Sequence, residues 1–111
     1  MNWNKLTETG QLKEIKALSE QKPVLIFKHS TRCSISSMSL DRLLRKWNDT
    51  DFEKITPYFL DLIAYCELSE LVAREFQIPH ESPQVLLIKN GEVIYDNSHF
   101  GISYSDLMGK I

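Results

Sequence analysis

The sequence predicts an α/β fold: a mixed β-sheet flanked by helices, with one additional helix at its N-terminal end. Two short unbroken apolar runs, Val24–Phe27 and Val85–Ile88, have the length and composition of strands buried on both faces. Amphipathic helical patterns alternate with the strand-like runs, as parallel βαβ units require. The pair Asn90-Gly91 separates the last two strand-like runs and suits a tight hairpin turn, whose central residues need positive φ.

Each element follows from local pattern. Leu12, Ile15 and Leu18 recur at three-residue spacing between Lys13, Glu14 and Lys16, which predicts an amphipathic helix over 8–20 with those three side chains inward. Lys22-Pro23 ends it, because the residue before proline disfavours the α region. The strand Val24–Phe27 follows, then a break at His29-Ser30-Thr31-Arg32. A second helix is predicted over 33–48, with Ile35, Met38, Leu43, Leu44 and Trp47 facing inward. The serines at 34, 36, 37 and 39 suit a first turn, where free backbone amides need partners. Asn48 to Asp51 reads as a turn and Pro57–Ile63 as a strand. Leu68, Leu71, Val72 and Phe76 mark a third helix over 67–77, closed by Ile78-Pro79. Val85–Ile88 and Val93–Tyr95 form the hairpin, and Ser103 caps a final short helix through Leu107 and Met108. The resulting order, α-β-α-β-α-β-β-α, fits a thioredoxin-like fold with an added N-terminal helix, as one domain over 1–111.

The totals exclude several function classes. The chain has 111 residues, 42% of them apolar and 25% charged, an ordinary globular balance. A formal net charge of −2 lacks the basic excess of a nucleic-acid binder. No apolar run approaches the length of a membrane span. Met1 to Lys5 lacks the apolar stretch of a secretory signal, so a cytoplasmic location is expected. The two cysteines, Cys33 and Cys66, are expected as free thiols in a reducing compartment, and with three dispersed histidines they make no zinc-finger spacing. No metal and no bound cofactor are expected, and a monomer is the default.

Cys33 is the candidate nucleophile. A thiol attacks a disulfide only as its thiolate, and a helix N-terminus favours the thiolate through free N–H groups and the positive end of the helix dipole. Cys33 falls at the predicted strand-to-helix junction among Thr, Arg and Ser, where a buried structural cysteine would have apolar neighbours. Arg32 and His29 bring positive charge nearby. Ser36 stands where a Cys-x-x-Cys motif carries its second thiol; its hydroxyl can hydrogen-bond a thiolate but cannot form a disulfide. Cys66 follows a predicted strand and is expected to be partly buried filler. In a thioredoxin-like fold a cis-proline precedes the strand opposite the active cysteine, and the backbone before it pairs with substrate; Ser82-Pro83 holds that place and is expected to be cis. Among the histidines, His29 has the best claim to act near Cys33, ahead of His80 and His99.

The segments His29–Ser36, His80-Glu81-Ser82-Pro83-Gln84, Lys89–Val93 and Ser98-His99, in this order along nearly the whole chain, resemble the YtxJ-like monothiol bacilliredoxins. That resemblance implies a thioredoxin fold and an enzyme that removes bacillithiol, a small thiol used by some bacteria, from S-bacillithiolated proteins. It implies catalytic roles for Cys33 and Ser36, substrate contacts at His29, Thr31, Arg32, Ser82 and Pro83, and bacillithiol as co-substrate. On charge alone, Arg32 is the expected contact for the malyl carboxylates of bacillithiol. A general glutaredoxin- or thioredoxin-like reductase, and a non-catalytic adaptor with Cys33 as a regulatory thiol, stay open beside it. An iron–sulfur carrier fits less well, because Ser34-Ile35 does not match a Cys-Gly-Phe-Ser motif.

Overall fold

A computed structural model describes residues 2–111. In chain order the elements are β1 (Asn4–Lys5), α1 (Gln11–Leu18), β2 (Val24–His29), α2 (Ser34–Lys46), α3 (Asp51–Lys54), β3 (Thr56–Asp61), α4 (Cys66–Phe76), β4 (Gln84–Lys89), β5 (Glu92–Ser98), a 3₁₀ turn (His99–Gly101) and α5 (Tyr104–Gly109). The strands form one five-stranded sheet in the order β1-β3-β2-β4-β5. β2 runs parallel to β3, from Val24 beside Thr56 to His29 beside Asp61. It runs antiparallel to β4, with Val24 beside Ile88 and Lys28 beside Gln84.

β2 is buried at all six of its positions, so its sequence serves two cores at once. Val24 and Ile26 face α1 and α4, meeting Leu12, Ile15, Leu68, Val72 and Phe76. Leu25 and Phe27 face the other side, with Leu43 from α2 and Leu107 from α5. The period-2 alternation then continues into polar residues: Lys28 extends the first row and His29 the second. The hairpin forms as expected. Asn90 and Gly91 both have positive φ, 53° and 78°, the signature of a type I′ turn. Ser19 holds that turn from α1, accepting the Asn90 N–H on its carbonyl and the Gly91 N–H on its hydroxyl.

Several expectations are corrected. Leu18 and Met38 point to solvent, Met38 at 63% exposure, and Ile35 is only partly buried. The buried face of α2 instead carries Ser36, Ser39 and Leu43, with Leu40 partly covered. Small serines let the first turns of α2 pack closely against the end of the sheet, which an apolar-spacing rule does not register. The Asn48–Asp51 turn is present, held by the Asn48 N–H on the Asp51 carboxylate at 2.8 Å, but it leads directly into α3. β1 has no periodicity of its own. Buried Trp3 and Leu6 flank it and hold Asn4 and Lys5 beside Tyr58 and Phe59 of β3. β3 stops at Asp61, two residues short of the expected strand, because its carboxylate accepts the Ile63 and Ala64 N–H groups and turns the chain.

Lys28 is 0% exposed, and among the described residues no carboxylate pairs with its ammonium. Burial lowers its pKa from 10.5 to about 8. The unfolded chain therefore holds this proton to higher pH than the folded chain, and folding stability from this group rises between about pH 8 and pH 10.5. A Lys28→Met variant is expected to be about 1–3 kcal/mol more stable than the parent near pH 7, since no charge need be desolvated. That advantage should shrink toward pH 10, as measured by urea unfolding; a variant less stable than the parent at neutral pH would contradict the reading.

Candidate active site

One end of the sheet gathers the residues singled out by sequence. β2 ends at His29, whose carbonyl accepts the Leu62 N–H at 2.9 Å, and the chain crosses Ser30–Cys33 to enter α2. Cys33 is the N-cap, with φ −112° and ψ 119°, and is half-buried. Its N–H donates to the Ser30 carbonyl and its own carbonyl accepts from Ser37, both at 3.2 Å, so the cysteine closes the loop and opens the helix. An N-cap side chain ordinarily accepts a bond from the first-turn amides. Cys33 makes no such bond, and no acidic residue stands in the first turn of α2. The positive end of the helix is thus left for charge developing at the sulfur.

Ser36, one turn along α2, is fully buried. Its hydroxyl lies 2.6 Å from His29 Nδ1 and accepts the Ser30 N–H at 3.0 Å. One oxygen therefore joins the end of β2, the cysteine loop and the helix. The sequence assigned this hydroxyl to the Cys33 sulfur; the structure gives it to His29 and Ser30. His29 is only 7% exposed and packs against Phe27 and Phe59. Burial lowers its pKa, with Asp61 and Asp41 acting weakly in the opposite sense, so its ring stays neutral at pH 7. It lies beneath the loop as a neutral support for Ser36, not as the nearby positive charge the sequence suggested. Thr31 and Arg32 are exposed on the loop itself.

The Ser82–Pro83 peptide bond is cis. The β2–β4 register, continued by one residue, sets Pro83 alongside His29. The Pro83 carbonyl accepts the His99 N–H at 3.0 Å, and the His99 carbonyl accepts the Ser39 hydroxyl at 3.1 Å. The backbone of His99, in a left-handed conformation at φ 53°, thus ties the proline segment to α2.

With this geometry in hand, comparison with known proteins is specific. The family model described as monothiol bacilliredoxin BrxC matches residues 4–107. The chain belongs to the monothiol bacilliredoxin family. Among solved structures, a protein assigned as an oxidoreductase with a thioredoxin fold superposes with a TM-score of 0.79 at 28% identity, over 96% of this chain and 91% of its own. Malassezia sympodialis thioredoxin gives 0.74 at 18% identity, over 97% and 86%. Mitochondrial thioredoxin 3 of Saccharomyces cerevisiae gives 0.65 at 19%, over 96% and 91%. The fold is a thioredoxin fold, and the family and fold together support a thiol redox function.

In this bacilliredoxin-family chain the second cysteine stands apart from the first. Cys66 is exposed, not partly buried as expected, because the Asp61 turn carries it out to head α4. It borders a surface cavity with Thr7, Thr9 and Tyr65, on the opposite face of the sheet from α2. Both thiols are free. Sequence reasoning missed Ser39 and the backbone role of His99, since neither carries a motif, and it passed over Lys28.

Replacing Ser36 by Ala leaves the Ser30 N–H and the buried His29 Nδ1 unpaired, an expected loss of about 1–3 kcal/mol in chemical denaturation; no loss would mean these bonds contribute nothing net. Burial lowers the pKa of His29, and burial with the nearby Lys28 charge lowers that of His80. As pH falls below the ordinary histidine value near 6.5, the unfolded chain takes up these protons first, so stability is expected to fall on acidification. Urea midpoints between about pH 7.5 and pH 5 test this, and a flat profile would contradict it.

Proposed function

We propose that this chain is a monothiol thiol–disulfide oxidoreductase that removes bacillithiol from S-bacillithiolated proteins, with Cys33 as the nucleophile. The observation that carries the reading is Cys33 at an uncapped helix N-terminus, with a buried serine three residues on that is bonded to His29 instead of offering a second thiol. In this reading the Cys33 thiolate attacks the bacillithiol sulfur of the mixed disulfide. The client sulfur leaves with the electron pair of the broken S–S bond and takes a proton from water, while Cys33 becomes joined to bacillithiol. A second small thiol or redoxin then attacks that new disulfide and restores the Cys33 thiol.

Placement supports the remaining assignments. Thr31 and Arg32, exposed beside the cysteine, contact the small thiol, Arg32 through its carboxylates. Ser82 and Pro83 meet the client backbone. His29 acts from beneath, through Ser36. The protein works as a cytoplasmic monomer with no resident cofactor, in a compartment reducing enough to keep both thiols free. Among the described residues, no helix is long and apolar enough to cross a membrane.

Intact-mass analysis after mixing with a bacillithiolated model protein tests this directly. One bacillithiol adduct on Cys33 is expected together with release of the client thiol. Both should vanish in Cys33→Ser and persist in Cys66→Ser. Adduct formation without client release would favour the adaptor reading, and a Cys33–Cys66 disulfide would overturn the one-cysteine mechanism.

A further inference from the structure

The segment that carries the cis-proline is held from behind by a group that takes no part in the chemistry above. Lys28 ends the row of β2 side chains that faces α4. Its ammonium donates to the Ser69 carbonyl of α4 and to His80 Nδ1, each at 3.3 Å. The Ser69 hydroxyl reaches the same Nδ1 at 3.2 Å. An ammonium has no lone pair, so Nδ1 must be the acceptor and His80 is the neutral ring with its proton on Nε2. The buried Lys28 ammonium therefore joins the central strand, α4 and His80, an otherwise exposed residue three positions before Pro83.

We propose that Lys28 and His80 are positioning residues for the thiol exchange, fixing the His80–Pro83 segment beside Cys33 through this junction with Ser69. The proposal rests on the reading of Cys33 and the proline segment given above. Beside Val24 and Ile26, a methionine would fill the Lys28 position without desolvating a charge. What the lysine adds is direction: a donor aimed at His80. The same segment is closed by the Gln84 side chain, whose Nε2 donates to the Pro79 carbonyl at 3.0 Å, and by the His99 N–H on Pro83. Of these three ties, only the Lys28–His80 tie contains a titrating acceptor.

That tie has a direction in pH. A proton on His80 Nδ1 removes the acceptor and sets a second positive charge against the Lys28 ammonium. The charged groups around His80 are Lys28 from β2, Glu70 from α4 and Glu81 from the segment itself. Glu81 also lies 3.6 Å from His99, which divides its influence. Burial and Lys28 disfavour the proton, the two carboxylates favour it, and the net displacement is downward. The junction is closed at neutral pH and opens on acidification.

Amide hydrogen exchange at Glu81, whose N–H donates to the Gln84 side chain at 3.4 Å, reads the order of this segment without reference to activity. Lys28→Met and His80→Ala are expected to speed exchange there by about tenfold, while His80→Asn, which keeps an acceptor, restores much of the protection. Exchange in the parent, corrected for its intrinsic pH dependence, should accelerate below pH 6.5, and His80→Asn should not show that acceleration. On a bacillithiolated model protein, Lys28→Met should raise KM by about tenfold with kcat within about twofold. Its Cys33 alkylation by iodoacetamide should match the parent. A structural role alone would not raise KM in a variant that is more stable than the parent. Unchanged exchange and unchanged KM in Lys28→Met would overturn the proposal. If the parent releases no bacillithiol, the function reading fails, and the exchange comparison still decides the junction.

Discussion

A strand buried on both faces must place every side chain in one of two cores, and β2 meets that demand with four apolar residues before ending in Lys28 and His29. Strand alternation sends these two polar groups to opposite faces, where each must find partners or carry the cost of an unsatisfied buried group. Lys28 finds them in Ser69 and His80. His29 finds one in Ser36. The first contact secures the proline segment from the α4 side, and the second secures the cysteine loop from the α2 side. The end of the central strand thus organises both halves of the site.

The cysteine itself needs little from its neighbours in this arrangement. Its loop is closed by backbone bonds, and the helix that follows leaves its first amides uncapped by any side chain. The polar side chains nearby act on the frame around the sulfur. Ser36 is an example: in a dithiol redoxin this position supplies a second sulfur, whereas here it supplies one oxygen shared between a strand end and a loop amide. The one-cysteine character of the site is therefore built into packing as well as composition.

Two buried titratable groups, Lys28 and His29, run against the usual logic of a stable core. Such local violations concentrate where a protein gives up stability for a defined geometry. Both lie in the last two residues of β2, within reach of the site, while the rest of the strand is conventional. The two faces differ in consequence. On the α2 face the contact is between groups that stay neutral at pH 7; on the α4 face it includes a cation, and so responds to pH over a wider range.

By itself the sequence determined the αβ order, the strand buried on two faces, the Asn90-Gly91 hairpin and the position of Cys33 at a helix start; the cis bond at Ser82-Pro83 was expected only from its place in the inferred fold. Each of these is set by patterns within a few residues, by turn chemistry, or by a motif at a fixed offset. The two-residue β1, the single turn of α3 and the true inward face of α2 were not legible. They depend on Trp3 and Leu6, on Asp51, and on how closely small serines let a helix approach the sheet. Only the tertiary structure decided what Lys28, His29, Ser36 and His80 do, because their partners lie between 6 and 52 positions away. A hydroxyl or a ring nitrogen carries no mark in the sequence of which distant group it will meet; for Lys28, His29 and Ser36, burial leaves that group or nothing.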